Sequence, residues 1–147
     1  MSLQNWLNEG RLKTHKTSKN ELSQLLAIFE RDMADAQSNK ISIDRRFATA
    51  YNAALTVSVA ALAANSYRAA GEGHHYWTIK SLAFTLQLGA ETIENFNKFR
   101  RKRNISDYER IGMVSEKEVL EMLELARSLR ITLGTWLRKN HPELLQE

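Results

Sequence analysis

A chain of 147 residues is long enough to bury a core of its own, and 43% hydrophobic against 26% charged residues excludes global disorder. With no cysteine there is no disulfide framework, no thiolate nucleophile and no cysteine-ligated zinc. The net charge of +4 is clustered, with Arg11, Lys13, Lys16 and Lys19 in one group and five cations among the six residues from Lys98 to Arg103 in another.

The opening stretch, MSLQNWLNEGRLKTHKTSK, lacks the continuous apolar region of a secretory signal, so a cytoplasmic location is expected. A short helix with Leu3, Trp6 and Leu7 on one side stops at Gly10. SKNE at Ser18 to Glu21 reads as a capping box, and behind it Leu22, Leu25, Leu26, Phe29 and Met33 recur at helical spacing. A second main helix is expected from Ser42 or Asp44 to Ala70, closed by Gly71. Its uncharged run from Phe47 to Tyr67 is long enough to span a bilayer. It also carries Thr49, Tyr51, Asn52, Thr56, Ser58, Asn65 and Ser66 among many alanines, which predicts a buried helix and no membrane. Tyr51 and Asn52 need hydrogen-bond partners there.

A third helix is expected from His74 to Gly89, and a fourth from about Glu91 with Ile93 and Phe96 facing inward. The last opens on a second capping box, SEKE at Ser115 to Glu118, with Met122, Ala126, Leu129, Leu133 and Trp136 as its apolar stripe. With one proline, Pro142, and six glycines, the pattern predicts an all-α, up-and-down helical bundle of four to five main helices with a short N-terminal helix. Residues 1–147 read as one domain.

The basic cluster on the fourth helix is not uniform. Each residue advances about 100°, so Arg103 returns to within roughly 20° of Phe96 and Arg100 to within roughly 40°, whereas Lys98, Arg101 and Lys102 point aside. Those three read as solvated charge. A cation at the Arg103 position has to be paired or face a cleft. Two readings stand for it: an intrahelical pair with Asp107, or a guanidinium fork that acts with Arg100, Asn104 and Tyr108 on a phosphate.

RKRNISDY at 101–108, after DRRFATAYNAAL at 44–55 and YRAAGEGHH at 67–75, resembles the HEPN superfamily of small helical domains, over roughly residues 1–110. The resemblance implies a four- or five-helix bundle, a homodimer, and RNA or a nucleotide as ligand. It also implies a nucleotidyltransferase partner in a toxin–antitoxin or defence system, and no cofactor or metal. In nuclease members an arginine, four to six residues and a histidine line a cleft shared by two protomers. Arg103 takes the arginine position and Asn104 the polar position after it, but Tyr108 stands at the histidine position. Counting from Arg101 instead reaches Ser106, Asp107 and Tyr108, so no register restores the histidine. A tyrosine of pKa about 10 is a poor base at neutral pH. The expected function is therefore binding of RNA or a nucleotide. The alternatives are a metal-independent endoribonuclease with an altered motif and a non-catalytic helical interaction module.

GEGHHYW puts His74 and His75 at a helix start, where one of them would supply the missing acid–base group if the loop reaches Arg103; the other reading is capping and core packing. Adjacent histidines do not share a helix face, so no metal site is expected. Arg68 is a further candidate phosphate contact. His15 and His141 receive no role, and the charge group Asp44, Arg45 and Arg46 reads as capping and solubility.

Overall fold

Serine caps and apolar stripes set the frame of the computed structural model, which describes residues 2–108 and 113–145. Ser2 caps α1 (Leu3–Asn8), Ser18 caps α2 (Lys19–Ala36) and Ser42 caps α3 (Ile43–Ala64), each hydroxyl accepting from a first-turn N–H. The short helices α4 (His74–Lys80) and α5 (Leu82–Thr85) lead to α6 (Ala90–Tyr108) and α7 (Glu116–Asn140), and a 3₁₀ turn covers Pro142–Leu145. Two short strands, β1 (Leu12–Thr14) and β2 (Tyr67–Ala69), complete an otherwise all-α helical bundle.

α3 is the central element, packed against α2, α4, α5, α6 and α7. Ala50, Ala53, Ala54, Ala60 and Ala61 are fully buried along it, and their small side chains let the neighbouring helices approach. It is long and apolar enough to cross a membrane, and 67% of its apolar stretch is buried by the rest of the fold. Leu22, Phe29 and Met33 of α2, Ile93, Phe96 and Phe99 of α6, and Met122, Ala126, Leu129 and Leu133 of α7 close the main core around it. A second, smaller core joins Trp6, Leu12 and Leu62, with Trp77 and Phe84 edge-on to Trp6 at 5.0 and 5.1 Å.

Three local expectations change. The helix expected to reach Ala70 ends at Ala64, because the Asn65 amide donates back to the Ala61 carbonyl and Ser66 turns left-handed at φ 73°. The chain then becomes β2, antiparallel to β1 in the register Leu12↔Ala69, Lys13↔Arg68, Thr14↔Tyr67. Three-residue strands are too short for an alternating pattern to announce them. The helix expected over 74–89 breaks at Ser81, whose hydroxyl donates to the Thr78 carbonyl at 2.6 Å, and Gln87 adopts φ 54° before α6.

The two capping boxes also differ. Ser115 and Glu118 form the full reciprocal pair at the start of α7. At α2 the Ser18 hydroxyl caps, but Glu21 is engaged elsewhere: Thr17 Oγ1 donates to it at 2.6 Å and His15 Nε2 lies 2.9 Å away. Those contacts, Thr17 first, hold the Glu21 carboxyl below its ordinary pKa.

Candidate anion-binding site

The inward stripe of α6 changes character along its length. Ile93, Phe96 and Phe99 are buried, and the following positions of the same face are Arg100 and Arg103. Buried Asn97 fixes Arg100, its Oδ1 accepting from Arg100 Nε at 2.8 Å. The Arg100 guanidinium then lies 5.6 Å from the ring centre of Tyr76 in α4, and that of Arg103 lies 5.6 Å from the ring centre of Tyr51 in α3.

Tyr51 is the floor of this group. Its residue is completely buried, its ring meets Phe96 edge-on at 5.8 Å, and His75 lies against it at 6.3 Å between ring centres. Its hydroxyl has no hydrogen-bond partner among the described residues, which departs from the network expected for it. Burial pushes the phenol pKa up to about 12, with Arg100 and Arg103 partly opposing. His75 is carried into place by the turn at Gly71 and Gly73, both left-handed at φ 73° and 71°, a conformation that disfavours any side chain. Burial first, then the neighbouring His74, Arg103 and Arg100, lowers its pKa below 6.5. At pH 7 the group therefore holds two guanidinium charges, a neutral imidazole and a protonated phenol.

Other cations of the cluster are engaged elsewhere. Arg101 pairs with Glu94 at 3.4 Å and Lys102 with Glu118 at 3.2 Å, while Lys98 lines a groove between α6 and α7 together with Glu91, Glu94, Glu121 and Glu124. Asn104 is exposed on α6. Tyr108 ends α6, and its side chain, like that of Asp107, lies outside the described residues. Arg68 stands apart: it is exposed in β2 opposite Lys13, with no hydrogen bond, ion pair or ring contact to Arg100, Arg103 or His75 among the described residues.

Sequence reasoning missed Tyr76 and Asn97. Asn97 had a signal, since it precedes Arg100 by three residues on one helix face; Tyr76 depends on how α4 docks on α6. Two histidines without an assigned role have partners, His15 on Glu21 and His141 on Glu143 at 3.1 Å. Among the described residues no three of His, Asp and Glu gather in a way that would hold a metal ion. The arrangement suits electrostatic stabilisation of an anion. No family model, curated protein or solved structure matches the chain.

Proposed function

We propose that the chain is a HEPN-like domain that binds RNA or a nucleotide through phosphate at the group of Arg100, Arg103 and His75. The observation that supports this is the gathering of two guanidinium groups of α6 and an imidazole of α4 beside the buried Tyr51 phenol, whose pKa both arginines act on. Guanidinium forks match phosphate oxygens, and a partly desolvated setting strengthens the attraction. In this proposal Asn104 and Tyr108 extend the contact, and two copies pair through the helices that carry Tyr51 and Arg103. A nucleotidyltransferase acts with the domain in a toxin–antitoxin or defence system.

Fluorescence anisotropy with a short single-stranded RNA tests the binding. Arg103→Ala is expected to weaken affinity about tenfold and to lower the slope of log K against log salt by about 0.7, the effect of one lost phosphate contact on a single strand. Unchanged affinity and slope would remove the site. Sedimentation equilibrium tests the pairing, and a monomer at micromolar concentration would end it.

His75 favours a second reading, metal-independent endoribonuclease. Its imidazole is neutral at pH 7 and lies in the field of both arginines, so it would supply the proton transfer that Tyr108 does not. Cleavage abolished by His75→Ala with RNA binding retained would select this reading. RNA binding without cleavage selects the first, and neither result leaves a helical interaction module.

A further inference from the structure

α7 holds a second gathering of guanidinium groups, outside the group just described. Gly134 is buried in the helix interior, where glycine is a poor helix former compared with alanine. Its place is explained by what stands over it. A Cβ at Gly134 would meet Arg130 Nη1 at 3.1 Å and Arg138 Nη1 at 3.4 Å. The two nitrogens are therefore no further apart than the sum of those distances.

Arg130 and Arg138 lie four residues before and four after Gly134, in one row along the helix. Side chains tilt toward the helix N-terminus, so Arg138 leans back over Gly134 in the usual way. Arg130 has to run forward, against that tilt, to arrive at the same place. The negative end of the helix dipole accounts for cations such as Arg138 and Lys139 in the last turn, but it fades within a turn and does not account for Arg130.

Two like charges sharing this space repel, and among the described residues neither guanidinium is within 4.0 Å of a carboxylate. Arg138 Nη2 donates to Thr135 Oγ1 at 3.3 Å, and Arg130 Nε is buried with no hydrogen-bond partner among the described residues. An anion between them would turn the repulsion into two charge-assisted hydrogen bonds, each about 2.8 Å long.

We propose that Arg130, Gly134 and Arg138 form an oxyanion clamp that takes a phosphate group. The forks approach from opposite directions along the helix over a bare backbone. A tetrahedral oxyanion presents oxygens both ways, whereas a planar carboxylate is satisfied by one fork. The clamp is independent of the proposal for Arg100 and Arg103.

The experiment uses the full chain carrying Arg100→Gln and Arg103→Gln, so that phosphate acting at the α6 group does not contribute. Inorganic phosphate, added at constant ionic strength, is expected to raise the Tm of this protein. Adding Arg130→Gln and Arg138→Gln is expected to abolish that rise. Gly134→Ala is expected to raise Tm without phosphate by about 2–4 °C, through helix propensity, and to reduce the phosphate-dependent rise. In the unmutated chain, the Arg130 Nε–H resonance should move with phosphate and not with chloride, a readout that needs no folded variant.

Binding of short RNA separates the two sources of the phosphate. A salt slope lower by roughly 1.4 in Arg130→Gln/Arg138→Gln, two contacts on a single strand, assigns the clamp to the RNA backbone. An unchanged slope with the phosphate effect lost assigns it to free phosphate or a phosphomonoester. The same Tm rise after Arg130→Gln and Arg138→Gln, no rise in their parent, or an unmoved Arg130 resonance overturns the clamp. An equal rise with acetate overturns the phosphate assignment in favour of a partner's carboxylate.

Discussion

Tyr51→Phe removes one oxygen from the centre of the protein, and the structure predicts that the protein becomes more stable. The Tyr51 hydroxyl is buried without a partner among the described residues, and a phenol held at about 12 keeps its proton at pH 7. An unsatisfied buried polar group costs about 1–3 kcal/mol relative to one left in water. Phenylalanine keeps the edge-on contact with Phe96 and a ring face for Arg103, and loses only the oxygen's own packing and part of the cation–π attraction. A net gain of about 0.5–2 kcal/mol follows, which at about 2–4 °C per kcal/mol for a chain this size raises the Tm by about 1–8 °C. Urea unfolding at pH 7, with the m-value unchanged, measures it directly. A loss of 1 kcal/mol or more would show that the hydroxyl is bonded in the folded protein, and the account of Tyr51 as an unsatisfied floor would fall.

His75 gives the protein a pH dependence of defined sign. Its folded pKa is depressed, so below about 6.5 the unfolded chain binds a proton that the folded chain refuses. Stability from this residue is complete above that pH and is lost as pH falls toward the folded pKa; His75→Gln should flatten the curve between pH 7 and 5 in thermal melts, and an identical curve would count against the burial of the imidazole. Arg46 ties three helix ends together, donating from Nε to the Ala36 carbonyl at 2.8 Å and from Nη1 to Glu116 at 2.8 Å. Arg46→Ala should cost about 1.5 kcal/mol in urea unfolding, mostly through the carbonyl bond, because Glu116 is half exposed; a Glu116→Gln loss as large as that of Arg46→Ala would reverse this ranking. Ala54→Leu should destabilise by about 1–3 kcal/mol through overpacking of the central helix, and a neutral result would mean that α3 has room its full burial denies.

The helical bundle was legible because its signals are local. Ser18, Ser42 and Ser115 each precede an apolar stripe, and the stripes from Leu22 to Met33 and from Met122 to Leu133 face the core as their spacing requires. The wheel of α6 also separated Arg100 and Arg103 from Arg101 and Lys102, because a side chain's direction on a helix depends only on its number. What the spacing left open was the company those two arginines keep. Tyr76 and His75 come from α4, and whether α4 reaches α6 is decided by the break at Ser81, the left-handed turns at Gly71 and Gly73, and Trp77 packing edge-on against Trp6.

The strands show the same division. Tyr67 to Ala69 looked like the end of a helix because its partner, Leu12 to Thr14, lies more than fifty residues away, and strand pairing is a relation between distant segments. Arg68, a candidate phosphate contact by sequence, is held in that ladder opposite Lys13. The space over Gly134 belongs to the folded helix alone. Sequence gives one glycine between two arginines, and only the side-chain paths of Arg130 and Arg138 bring both guanidinium groups to it. Local rules act through the chain and can be counted along it; a site is made where separate segments meet, and that meeting is fixed by core packing that no single segment contains.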